Sequence, residues 1–388
     1  MIDQFRALPQ QKRLGILCGL TIIAVLIATL WPFDFVSSNR VSWIPEANGI
    51  RFGGTGVVVS KASLKPRATE SGDSCSLEVL VRPASIESVS VPPILSFYVA
   101  EKQRELFVGQ HKDDLMVSLT FVEAQKNLTA PELDEYHVFE QGKVLLLTIT
   151  SGTNGTVVYK NGSEPQVFSG FRIMQGDLTG QIVLGTSALD FKPWSGEIRG
   201  LAIYSKELTP TEVLRDYRDW TDGRAVDFAH LEGATAIYGF AEGAGREIHS
   251  AVVSGPDLEI PKRFVVPHKP FLVSPLEEFE ATWNYVHNIL VNIAGFVPLG
   301  FILCVYLACT RSRRQAILLT IPAGGMVSFV IEVLQVYIPQ RGSGVTDIIT
   351  NTLGAAFGAL LVRPSMVGTI LGRTKLITGS GSSVSPHN

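Results

Sequence analysis

Cysteine is scarce in this chain. Only Cys18, Cys75, Cys304 and Cys309 occur, and three of them lie in apolar runs. A disulfide framework is thereby excluded, because Cys75 alone is left to face an oxidising compartment. Charge is also sparse, at 18% of the 388 residues, and the formal net charge is −3. No excess of basic residues exists to attract nucleic acid, which is not expected as a partner. No metal-ligand cluster stands out, so neither a metal nor a cofactor is expected. What is abundant is apolar sequence. Apolar residues make up 46% and mean hydropathy is +0.23. That is too apolar for an ordinary soluble protein and too polar for a pure membrane bundle, so a mixed chain of two or more folding units is expected.

Four runs read as membrane spans. The first, LGILCGLTIIAVLIATLW, covers 14–31; at 1.5 Å per residue it reaches ~27 Å, close to the hydrocarbon thickness. The following IATLWPFDF lacks the small-x-small pattern of a cleavage site, so an uncleaved anchor is expected. The other runs are 289–309, 316–338 and the Gly-rich 345–362. Basic residues then set the orientation. Arg6, Lys12 and Arg13 precede the first run, Arg311, Arg313 and Arg314 fill the turn between the second and third, and Arg363, Arg373 and Lys375 follow the fourth. With four spans all three groups fall on one side, which the positive-inside rule makes cytoplasmic. The chain then divides into a cytoplasmic N-terminus with the first span (1–35), an exported segment (40–265), a membrane domain (283–363) and a low-complexity cytoplasmic tail (364–388).

The exported segment reads as short strands split by Gly, Asn and Pro. CSLEVLVRP, PILSFYVA, KVLLLTIT and GEIRGLAIY are examples, and SGTNGTVVYKNG carries two Asn-Gly hairpin signals. Only TPTEVLRDYRDW reads as a helix, with Thr209 as N-cap, Pro210 in the first turn and Glu212 closing a capping box. Many strands and one helix predict an antiparallel sandwich. Exposed aromatics suited to sugar stacking would be Trp194 and Tyr136, against the alternative that both fill the core. Asn127, Asn154 and Asn161 open Asn-x-Ser/Thr sequons.

Polar residues in the apolar runs gather toward one side under that orientation. Asn288 and Asn292 share a helix face with Gly295, Glu332 and Gln335 share another, and Asp347 and Asn351 a third, extended by Gly354 and Gly358. Glu332 stands six residues, ~9 Å of helical rise, short of Ile338, and Arg341 lies in the turn PQRGSG. Isolated charge in lipid costs several kcal/mol, so these groups are expected to meet one another or a wet cavity. A Glu332–Arg341–Asp347 cluster satisfies the charges. The competing reading is polar glue between helices.

Two resemblances follow from these residues. NGIRFGGTGVVVS, TVVYKNGSEPQVFSG and WSGEIRGLAIYSKELTPTEV resemble the laminin-G-like, concanavalin A-type jelly roll over about 48–217. AIYGFAEGAGREIHSAVVSG (236–255) resembles the segment that opens such a module; it either completes this sandwich or is a remnant of a second copy. Modules of this fold often bind glycans. Separately, Asn292 with Pro298-Leu299-Gly300, Glu332-x-x-Gln335 with Pro339-x-Arg341, and Asp347, Asn351 and Gly354 are similar to the VanZ-like membrane family, as is LWPFDF after the first run. The resemblance implies a bacterial inner-membrane protein, multi-pass, with an all-β jelly-roll ectodomain on an α-helical four-span domain. Its named member is associated with low-level glycopeptide-antibiotic resistance, which fold alone does not transfer.

The functional expectation is an envelope protein. Its sandwich binds glycan or an envelope partner, and its outer-leaflet pocket of Asn288, Asn292, Glu332, Gln335, Arg341, Asp347 and Asn351 meets membrane lipid headgroups or a lipid-linked saccharide. Two alternatives stay open. One is a membrane enzyme using Glu332 and Asp347 as acid and base; the other is a small proton-coupled transporter. Oligomeric state is open.

Overall fold

The computed structural model describes residues 9–366 apart from 36, 66–72, 89, 122–130, 223–232 and 365. Asn127 and the expected low-complexity tail beyond 366 lie outside the described residues. The chain forms two compact units, Asp34–Pro270 and the combination of Met1–Phe33 with Phe271–Asn388.

The first unit is a two-sheet antiparallel sandwich. Its strands are β1 (Val41–Trp43), β2 (Ile50–Phe52), β3 (Val58–Ser60), β4 (Cys75–Pro83), β5 (Pro93–Val99), β6 (Arg104–His111), β7 (Asp114–Phe121) and β8 (Glu132–Glu135). They continue as β9 (Leu145–Gly152), β10 (Gly155–Lys160), β11 (Ser163–Phe168), β12 (Gln181–Leu184), β13 (Gly196–Tyr204), β14 (Ala234–Tyr238), β15 (Glu247–Ile248) and β16 (Leu258–Glu259). One sheet runs β1-β2-β13-β4-β9-β10-β11 with β14 also on β13; the other runs β15-β16-β3-β12-β5-β6-β7-β8. The chain crosses repeatedly from sheet to sheet, the jelly-roll pattern. Alternation builds the core: Leu77, Val79 and Val81 of β4 point in against Phe97, Leu106, Val117 and Trp194.

The segment 236–255 completes this sandwich. β14 pairs with β13, and β15 and β16 extend the second sheet beyond β3. The Asn161–Gly162 turn joining β10 to β11 is left-handed at both residues (φ 51° and 76°), which Asn and Gly tolerate best. The single expected helix forms as α2 (Pro210–Thr221), with Thr209 and Glu212 closing its capping box.

Helix α2 decides the fate of Glu78. Strand parity turns Glu78 away from the main core, and Trp220 of α2 then covers that face. Glu78 is buried with Tyr204 and Asp216. Trp220 Nε1 donates to its Oε2 at 3.0 Å and Thr148 Oγ1 to its Oε1 at 3.2 Å. Burial above all, and then the neighbouring Asp216 carboxylate, push Glu78 up to about 8. The folded form therefore holds its proton above the ordinary 4.5 of the unfolded chain. Stability from this group is fully present below that ordinary value, declines as pH rises, and is gone above about 8. Glu78→Gln is expected to remove this loss. Melting of the full chain in detergent, from pH 5 to 8, should show the variant gaining steadily on wild type. Parallel curves would contradict the assignment.

The second unit contains α1 (Gln10–Leu30), α3 (Pro275–Glu278), α4 (Trp283–Ala308), α5 (Arg313–Gln335) and α6 (Val345–Leu360). Helix ends follow local caps. Thr282 accepts from the Tyr285 N–H, so α4 starts well before Ile289. Ser312 and Gln315 form a capping box that starts α5 at Arg313. α1, α4 and α5 are long and apolar enough to cross a membrane. α6 has 16 residues, ~24 Å by helical rise, and is not among them. The described structure thus holds three such helices, where the sequence suggests four spans.

This unit is built inside-out relative to the sandwich. Leu20, Ile23, Leu290, Leu318, Met326 and Leu360 are exposed, whereas Thr320, Ser328, Glu332 and Asn351 are buried. Such a distribution suits an apolar solvent. Small residues bring α6 close to α4. A Cβ on Gly354 would lie 2.3 Å from Ile293 O, and one on Gly358 would lie 2.0 Å from Val297 O. Gly295 differs: nothing lies within 4 Å of its would-be Cβ, so it does not extend the contact as the shared-face pattern suggested.

Candidate functional site

Polar side chains of α4, α5 and α6 converge where α6 begins. Asn292 Nδ2 of α4 donates to Asp347 Oδ1 of α6 at 2.7 Å. Asn351 lies one turn further along α6, on the same face, and its Nδ2 donates to Ser328 Oγ of α5 at 2.9 Å. Glu332 of α5 is 1% exposed, and its Oε2 accepts the Gly344 N–H at 2.9 Å. Gly344 is the N-cap of α6, so this carboxylate also faces the positive end of that helix.

A short segment outside the spans completes the arrangement. Val273 N donates to Ser343 O, and Val345 N donates to Val273 O, both at 3.0 Å. These bonds hold α3 against the start of α6. Glu278 Oε2 then accepts the Thr346 N–H at 3.2 Å. Its carboxylate presses so closely on Gly344 that no Cβ fits there. Glu278 went unnoticed in the sequence because it precedes the apolar runs; the only signal was the Ser274-Pro-Leu-Glu277 capping pattern that positions it.

Other expected members stand apart. Gln335 Nε2 donates to Thr29 O at 3.0 Å, tying α5 to the end of α1. Arg341 does not bridge Glu332 and Asp347; its Nε and Nη2 donate to Trp31 O at 3.1 and 2.6 Å. The chain end of α1 offers an unpaired carbonyl there, and Arg341 satisfies it. Asn288 is exposed and contributes nothing to the cluster, because the first turns of α4 extend past the start of α6. Glu332 also sits nearer the helix end than expected, since α5 stops at Gln335 rather than Ile338.

On the sandwich, Trp194 is corrected from surface to core. It is 1% exposed, tilts against Phe52 and donates Nε1–H to Gln110 Oε1 at 2.8 Å. It therefore offers no face to a sugar. Tyr136 is 69% exposed and adjoins His137, whose Nδ1 lies 2.7 Å from Asp113 Oδ2 and whose backbone N–H donates to Asp114 Oδ1. Hydrogen bonding to Asp113 raises the His137 imidazole and lowers the Asp113 carboxyl. Ligand atoms of Asp113, Asp114 and His137 lie within 4.8 Å of one another, the spacing a metal ion would need. No sequence spacing announced this group, because a hairpin brings the start of β7 beside the end of β8.

The chain thus combines an antiparallel sandwich with a helical unit that has a polar seam and three helices long and apolar enough to cross a membrane. Residues 254–368 match the profile of the VanZ/LLP1 family. No curated protein matches the chain. Among solved structures, it is similar to the receptor-binding domain of botulinum neurotoxin D, at 16% identity over 47% of this chain and 46% of that one, TM-score 0.34. A botulinum neurotoxin D ligand-binding domain in complex with N-acetylneuraminic acid matches at 15%, over 47% and 45%, TM-score 0.33. A protein described as carbohydrate-binding, from Bacteroides ovatus, matches at 12% over 58% of each chain, TM-score 0.36. The chain spans less than two thirds of each of these structures.

Proposed function

We propose that this chain is a bacterial inner-membrane envelope protein. Helix α6 serves as a fourth crossing segment, both termini are cytoplasmic, and the sandwich is extracytoplasmic. The seam then lies in the outer leaflet, where it recognises a lipid headgroup or the first sugar of a lipid-linked saccharide. The sandwich binds envelope glycan or another envelope partner on a surface that includes Tyr136.

One observation carries the reading. Glu332, Asn351 and Ser328 are buried among helices whose outer faces are apolar, a costly placement in lipid that calls for a polar occupant or mutual pairing. The basic turn supports the sidedness. Arg313 marks the start of α5, and Glu332 lies in its last turn, at the opposite end.

The test is mass spectrometry of lipids and glycans that co-purify with the full chain in detergent. Asp347→Ala should lower a specific lipid about tenfold while leaving glycan in place, as loss of a charged contact in a dry site predicts. Tyr136→Ala should lower glycan about fivefold and leave lipid unchanged. A wild-type protein whose lipids are indifferent to Asp347→Ala would refute the site. An envelope lipid turned over by wild type but not by Glu332→Gln would replace it with the enzyme reading.

A further inference from the structure

The seam is rich in acceptors, and among the described residues no cation pairs with them. Glu278, Glu332 and Asp347 meet at the start of α6: the first two accept the Thr346 and Gly344 N–H groups, and Asp347 lies in the first turn of that helix. The donors that reach them are neutral: the N–H groups of Gly344 and Thr346, and the amide of Asn292. Among the described residues, Arg341 is turned to Trp31 O and forms no ion pair with them. Arg313 donates to Val362 O at the other end of α5.

Two further polar oxygens are buried on α6, on the residue before Asp347 and on the residue one turn after it. Thr346 Oγ1 and Asn351 Oδ1 have no hydrogen-bond partner, and their residues are 9% and 4% exposed. Thr346 directly precedes Asp347, and its own N–H is the one that Glu278 accepts. Asn351 lies one turn below Asp347. Buried polar atoms without partners are uncommon and point to an occupant that supplies donors.

We propose that this seam binds a primary ammonium group, carried by the headgroup of an aminophospholipid. The inference rests on the membrane reading given above and narrows its ligand. Three carboxylates disfavour a phosphate or another anion at the same position. Their ligand atoms do not gather within 4.8 Å of one another, so they form no three-carboxylate cage for a small metal ion. An ammonium offers three N–H donors in divergent directions, which suits acceptors spread around the α6 N-terminus. The attached phosphate then lies outward, beyond the carboxylates. The end of α5 and the start of α6 mark the depth at which such headgroups sit.

The experiment places the full chain in nanodiscs of equal parts phosphatidylethanolamine, phosphatidylcholine and phosphatidylglycerol. Lipids retained on release into the gas phase are counted by class. Phosphatidylethanolamine should exceed phosphatidylglycerol about tenfold, as a charge-assisted contact predicts. Phosphatidylcholine, whose nitrogen has no N–H, should fall well below phosphatidylethanolamine. The Glu332→Gln/Asp347→Asn pair keeps side-chain size and should bring the first ratio to within about twofold. Thr346→Val, which removes one buried acceptor and no charge, should lower phosphatidylethanolamine about threefold. Retention that favours phosphatidylglycerol, shows no class preference, or treats choline and ethanolamine headgroups alike overturns the ammonium assignment while leaving lipid recognition standing. Displacement by equimolar free ethanolamine would make a soluble amine the source instead of a lipid. A protein that retains no lipid of any class brings down both this assignment and the reading beneath it.

Discussion

Valine at Gly358 is expected to drive α6 away from α4. The added Cβ would lie 2.0 Å from Val297 O and 2.6 Å from Phe301 N, both backbone atoms that no rotamer change can move. Relief requires the helices to separate, and the Gly354 contact on the same stripe would be lost with it. Overpacking a well-packed site typically costs 1–3 kcal/mol, and a two-point backbone clash should reach at least about 3. Melting in detergent should show a large drop in midpoint or a failure to recover folded protein. Gly295→Ala is the matched control. Its Cβ meets nothing, so the change should stay within about 0.5 kcal/mol, and helix propensity favours a slight gain. Equal behaviour of the two variants would deny the close crossing on which the polar seam depends, because Asn292 and Asp347 meet only when α4 and α6 touch.

Trp194→Ala should destabilise the sandwich by about 3–5 kcal/mol. The side chain fills the core beside Phe52, and its loss leaves a cavity bounded by residues that are almost fully buried. A second cost adds to the first. Gln110 is 2% exposed and its Oε1 accepts the Trp194 Nε1–H, so the variant orphans a buried acceptor. Trp194→Phe separates the two effects. It restores most of the volume but not the donor, and should cost about 1–3 kcal/mol. Calorimetry of the full chain reads both as shifts of the sandwich transition. A Trp194→Ala protein with an unshifted transition and weakened glycan binding would return Trp194 to the surface, where the sequence reading had allowed it.

Much of this molecule was legible one residue at a time. Apolar run length fixed α1, α4 and α5, since a span must match hydrocarbon thickness. Period-two alternation and the Asn161–Gly162 signal marked the strands and hairpins. Thr209 and Glu212 announced α2 because a capping box is a local device, closed within four residues. The Asn292, Glu332, Asp347 and Asn351 pattern marked the seam, since isolated polar groups in such runs require partners.

What remained hidden depends on which surfaces meet. Trp194 and Tyr136 are both aromatic and both adjoin strands, and only sheet packing separated core from surface. Glu78 has the parity of an exposed residue; α2 buries it. Charge balance suggested that Arg341 would neutralise the seam, but the unpaired carbonyl at Trp31 takes its guanidinium. The sequence by itself determined the elements and the polar character of the site, because helix length, strand alternation and capping are set by neighbours along the chain. Tertiary structure alone decided that Glu278 joins the polar seam and that Arg341 turns away from it to Trp31 O, because those outcomes turn on hydrogen-bond geometry between residues dozens of positions apart.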